Sequence, residues 1–125
     1  MKKAQILAFG AHPDDIELSA GGTLAKMAAK GSTIAIVDLT VGELGSLGSG
    51  PLRLKEAEAA AKAMGVKYRE NLALADGFFE IDQSSLLKVI ESIRKYQPEI
   101  VIANAVKDRH PDHGRGAELV SRATF

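Results

Sequence analysis

The sequence predicts an α/β fold in which a doubly wound, mainly parallel sheet carries helices on both faces. Three observations lead there. Short apolar runs rich in β-branched residues recur along the chain. Segments of helical spacing separate them, the pattern of parallel strands joined by crossovers. Glycines and prolines fall between the segments and punctuate them.

Taken in order, residues 4–10 read as a buried strand. Residues 18–30 read as a helix: Leu18, Leu24, Met27 and Ala28 fall near helical spacing and Gly31 stops it. Residues 33–39 form a second apolar strand. Residues 40–50 are a loop dense in glycine. Residues 51–64 are a helix opened by Pro51 and ended by Gly65. Residues 66–72 are a short strand, and residues 82–96 a helix with Ile90 and Ile93 on one side and Pro98 beyond it. Residues 99–104 are a strand, and another helix begins at Asp112. The alternation is Rossmann-like, in a single domain spanning residues 1–125.

Composition narrows the function. Sixteen basic and sixteen acidic residues cancel, which argues against a nucleic-acid binder. No apolar run approaches the roughly 20 residues of a membrane span. The basic start, Met1-Lys2-Lys3, leads into an apolar stretch that ends at Gly10, a first strand and not a signal peptide. There is no cysteine, so neither disulfides nor thiolate ligands arise. A cytoplasmic location is the default expectation.

Two clusters hold all three histidines: Ala11-His12-Pro13-Asp14-Asp15 and Arg109-His110-Pro111-Asp112-His113. Each follows a predicted strand. If those strands are parallel neighbours, both clusters open at one sheet edge, where open α/β sheets place their ligands. Imidazole and carboxylate gathered at one point suit a divalent metal. In the first cluster Pro13 disfavours helix at His12 and holds it extended. Asp14 and Asp15 then stand side by side in a turn, where one can ligate while the other faces water. The alternative is that one of them caps the following helix. Gly21-Gly22 is costly inside a helix. Either the backbone must lie close to the site there, or a loop delays the helix start.

In the second cluster, Pro111 suits a helix start because the first amides lack partners anyway, and His113 falls in the first turn. The alternative is a solvated loop over residues 107–115. Taken with the first cluster, ligation is the favoured reading. The loop 40–50 lacks the Gly-Lys-Ser/Thr of a phosphate loop, and no Gly-x-Gly-x-x-Gly follows the first strand. Its glycines let a ligand approach the backbone, or simply make a connector. Arg53 offers a guanidinium fork suited to a carboxylate or polyhydroxyl group, or else is a solvated residue paired with Glu56.

His12-Pro13-Asp14-Asp15, Gly21-Gly22-Thr23, Thr40-Val41-Gly42-Glu43-Leu44-Gly45, Arg53-Leu54-Lys55-Glu56-Ala57 and His110-Pro111-Asp112-His113-Gly114 occur in that order. Together they resemble the LmbE-like (PIG-L) zinc de-N-acetylases, and within them the bacillithiol-biosynthesis deacetylases. The resemblance implies a Zn²⁺ ion, with Fe²⁺ as another candidate, held by His12, Asp15 and His113. It implies Asp14 as general base, His110 as oxyanion stabiliser or proton donor, Asp112 orienting His110 through a ring nitrogen, and Arg53 facing substrate. The implied substrate is a small-molecule N-acetylglucosaminyl conjugate, such as a bacillithiol precursor, and the implied assembly a homo-oligomer. Members of the family are longer, so the chain is expected to be the N-terminal part of such an enzyme. Two other readings compete. One is a metal-binding or regulatory domain without turnover. The other is a non-haem iron oxygenase, which shares the two-histidine, one-carboxylate signature. The extra Asp14 and His110 favour hydrolysis over the oxygenase.

Overall fold

The computed structural model describes residues 2–46 and 48–125. All four expected strands form, as β1 (Ile6–Gly10), β2 (Ile34–Thr40), β3 (Tyr68–Leu74) and β4 (Ile100–Ile102). They make one parallel sheet in the order β3-β2-β1-β4. The helices between and after them are α1 (Asp15–Ala29), α2 (Gly50–Met64), α3 (Gln83–Tyr96) and α4 (Pro111–Thr124). Among the described residues no helix is long and apolar enough to cross a membrane.

β1 and β2 are buried along their whole length, as continuous apolar runs covered on both faces must be. Alternation along each strand sorts the side chains into two cores. Ile6, Ala8, Ile34 and Ile36 meet Ile16 and Leu24 of α1 and Ala61 of α2. Leu7, Phe9, Val37 and Leu39 meet Val89 and Tyr96 of α3 and Leu119 and Val120 of α4. The expected doubly wound architecture is therefore present. At the β3 edge, Arg69 forks onto Asp38 of β2 at 2.9 and 3.0 Å and reaches Glu17 of α1 at 3.0 Å. Burial pushes Asp38 up to about 6 against the pull of that guanidinium.

Three expectations need correction. Helix α1 starts at Asp15, not at 18, and Leu18 is 82% exposed while Ile16 and Leu24 make the core. Gly21-Gly22 lies inside this helix, yet an added Cβ would come no closer than 3.6 Å at Gly21 and would meet open space at Gly22. Among the described residues, then, neither glycine marks a close approach of another part of the chain. The capping alternative fails too. Asp14 occupies the N-cap without a side-chain cap bond, and Asp15 Oδ2 accepts from the amide of His12 at 3.0 Å. The other helix starts follow local rules. Ser49 accepts from the Leu52 amide and Asp82 from the Ser85 amide. Pro111 opens α4, and His110 Nδ1 accepts from the Asp112 amide.

Candidate metal centre

The site lies beyond the carboxyl ends of β1 and β4, on either side of their seam. β4 leaves the ladder two residues before its expected end, because Asn104 turns its side chain to the first cluster. Asn104 Oδ1 accepts from the Ala11 amide at 2.9 Å, and its Nδ2 donates to Asp15 Oδ2 at 3.1 Å. Thr40, at the end of β2, donates to the Ala11 carbonyl at 2.9 Å. Three strand ends thus fix the backbone just before His12.

His113 Nε2 stands 3.2 Å from Asp15 Oδ2, and His12 Nδ1 stands 3.6 Å from the same oxygen. Donor atoms of His12, Asp15 and His113 all lie within 4.8 Å of one another. The second nitrogen of each imidazole is held by a carboxylate. His12 Nε2 faces Asp112 Oδ2 at 2.8 Å and Asp76 Oδ1 at 3.0 Å, and His113 Nδ1 faces Asp108 Oδ2 at 2.9 Å. Metal-binding histidines characteristically have such outer partners. Two nitrogens and one carboxylate oxygen, with positions left open, fit a catalytic divalent ion such as Zn²⁺. His12, His110 and Asp112 form a second close group. In that group both Asp112 oxygens are engaged, Oδ1 by Arg115 and Oδ2 by the Gly77 amide and His12, whereas among the described residues the hydrogen bonds to the Asp15 carboxylate all fall on Oδ2.

Charge follows geometry. Burial opposes the His12 imidazolium, but Asp15 and Asp112 outweigh it and hold its pKa up at about 9. That proton must leave before the ring can ligate. Burial opposes the Asp15 carboxylate too, yet hydrogen bonds from His12 and Asn104 hold its pKa down at about 2. Burial lifts Asp14 above the usual carboxylate range, with Arg53 pulling the other way.

A cleft of about 270 Å³ opens beside these donors, lined by His12, Asp14, Arg53, Asp76 and His110 among others. The structure therefore brings every residue singled out in the two clusters to one place, with Arg53 at the rim. One contact differs from expectation. The Asp112 carboxylate holds His12, not His110, because the first turn of α4 drives it fully inward. Only the Asp112 amide reaches His110. Arg53 pairs with Asp14 at 3.7 Å, not with Glu56. Asp76, Asn104 and Asp108 were missed in the sequence. An Asp-Gly pair just past the third strand, at the ligand edge, was the available signal for Asp76.

A parallel α/β sheet with imidazole and carboxylate donors gathered beyond two adjacent strand ends defines an α/β protein with a candidate catalytic metal centre. The family described as PIG-L, GlcNAc-PI de-N-acetylase, matches residues 7–124. The chain belongs to that family. It is 39% identical over 118 residues to the uncharacterized deacetylase YaiS of Escherichia coli strain K12, covering 90% of this chain and 63% of that protein. Its fold matches N,N'-diacetylchitobiose deacetylase from Pyrococcus horikoshii with a TM-score of 0.88 and 30% identity, over 96% of this chain and 49% of that one. It also matches the 4-carboxy-2-hydroxymuconate hydratase GalB of Pseudomonas putida KT2440, with a TM-score of 0.85 and 29% identity, over 98% of this chain and 55% of that one. The chain thus spans about half to two thirds of the length of these relatives.

Proposed function

We propose that the protein is a metal-dependent N-deacetylase that removes the acetyl group from an N-acetylglucosaminyl conjugate, giving acetate and a free amino sugar. The observation that carries this reading is the donor trio His12, Asp15 and His113 beside a cleft rimmed by Asp14 and His110. The family's description and the P. horikoshii relative support an N-acetylglucosamine-type substrate. A bacillithiol precursor is the narrower candidate, taken from the ordered motifs. A cytoplasmic location and a homo-oligomeric assembly belong to the same reading.

His12, Asp15 and His113 would hold the ion, Zn²⁺ or alternatively Fe²⁺. When bound, such an ion polarises an acyl oxygen and acidifies a water molecule. The chain's own residues do the rest. Asp14 accepts a proton from the water that attacks the acetamide carbon. His110 stabilises the oxygen on which charge develops. As the carbon–nitrogen bond breaks, Asp14 or His110 returns a proton to the leaving amine. Asp112 and Asp76 fix the His12 ring, and Asp108 fixes that of His113.

The likeness to a hydratase favours one second reading, addition of water to a carbon–carbon double bond. Zn²⁺-loaded protein should release acetate from N-acetylglucosamine conjugates, assayed over a panel of aglycones. A protein that hydrates an unsaturated carboxylate and frees no acetate from the panel would replace the deacetylase reading.

A further inference from the structure

Asp14 sits in the left-handed region at φ 106°. A residue other than glycine stays there only where its surroundings over-determine it. Two of the constraints are local. The Asp15 amide donates to the His12 carbonyl at 3.2 Å, and the Leu18 amide to the Asp14 carbonyl at 3.0 Å. The third comes from another element. Arg53 of α2 donates from Nη2 to the Pro13 carbonyl at 2.7 Å. That carbonyl belongs to the peptide group entering Asp14, so fixing its direction restrains the φ of Asp14.

The guanidinium is itself seated. Its Nη1 donates to the Gly42 carbonyl at 3.2 Å, and its Nη2 lies 3.7 Å from Asp14 Oδ2. Gly42 has φ 70°, and a Cβ there would stand 2.2 Å from Arg53 Nη1 and 2.7 Å from Cζ. Only a glycine leaves room for the arginine in this pose. The loop after β2, the start of α2 and the turn after β1 thus converge on one peptide group, two bonds from the side chain of Asp14.

We propose that Arg53 is a positioning residue for Asp14: seated on Gly42, its guanidinium fixes the Pro13–Asp14 peptide and so aims the Asp14 carboxylate into the cleft. This goes beyond substrate grip, since two of the fork's donors are occupied by main-chain carbonyls. It rests in part on the reading of Asp14 as the base.

The test uses Arg53→Ala, Gly42→Ala and the double variant in the full protein, with plain N-acetylglucosamine as substrate, which lacks an aglycone to grip. Metal content should stay at the wild-type level. For Arg53→Ala, kcat should fall by about 10²-fold, the cost of misplacing a reacting group by about 1 Å, with little change in KM. Gly42→Ala should lower kcat too, and should cost less in the Arg53→Ala background, where the clash with the guanidinium is gone and only the strain of φ 70° remains. A raised KM at unchanged kcat, or losses that add in full, would overturn the proposal. Should Arg53→Ala not fold, Arg53→Lys decides: an ammonium lacks the planar fork that meets the two carbonyls from separate nitrogens, so an intermediate fall in kcat is expected and wild-type kcat would overturn it. If the wild type frees no acetate from any N-acetylated sugar, the deacetylase reading fails and a crystal structure of Arg53→Ala settles the positioning claim. Asp14 should then leave its left-handed conformation while His12 and Asp15 stay in place; an unmoved Asp14 would refute it.

Discussion

Asp14→Asn is expected to keep the wild-type metal content while turnover falls about 10²–10⁴-fold, the usual worth of a general base. Asparagine matches aspartate in shape, so the cleft keeps its form. It also tolerates the left-handed backbone well, so φ 106° survives the change. What disappears is a basic oxygen. Among the described residues Asp14 joins neither close donor group, and its side chain is 58% exposed, facing Arg53. Metal analysis by mass spectrometry and acetate release on the same sample check both halves. If Asp14→Asn emerges without metal, the two adjacent carboxylates have exchanged roles.

Asp15→Ala should do the opposite and strip the metal. Oδ2 of Asp15 is the point that His12 and His113 share, at 3.6 and 3.2 Å. The His12 amide and Asn104 hold it there. Removal leaves two imidazoles with no anionic donor between them. Asn104→Ala provides the scale: it deletes an outer partner of Asp15 together with the bond to the Ala11 amide and should weaken metal binding about 10–100-fold. Asp15→Ala should exceed that in a titration against a competing chelator. Wild-type affinity in Asp15→Ala would remove Asp15 from the donor set.

How much of this was legible depends on the kind of signal. The strands were, because β1 and β2 are buried on both faces and must read as unbroken apolar runs. The two clusters were, because proline and paired charges beside histidine stand out at strand ends. The start of α1 was not. Asp14 and Asp15 after Pro13 read as a turn, and only the burial of Ile16 against the sheet reveals a helix from Asp15. The partner of Asp112 was not legible either. Spacing places Asp112 in the first turn of α4 but cannot say which imidazole it meets; that follows from the sheet order, which sets His12 against α4. Asp76 and Asn104 are single polar residues at strand ends, with no periodicity to flag them, and their roles appear only once β3, β1 and β4 are in place.

The seam beneath the site is short. β4 joins β1 through three residue pairs, Ile6 with Ile100, Leu7 with Val101 and Ala8 with Ile102. His12 and Asp112, which meet above it, are 100 residues apart in the chain. Segments held by few pairings open locally below the free energy of global unfolding. An opening of β4 would part His12 and Asp15 from His113 and dissolve the donor trio. An ion that binds only the closed form depletes the open one by mass action. An ion held by the trio would then be a clasp as well as a reagent, closing the shortest strand pairing of the described sheet. Amide hydrogen exchange at Ile100–Ile102 should slow when Zn²⁺ is added; exchange indifferent to the ion would separate the clasp from the seam.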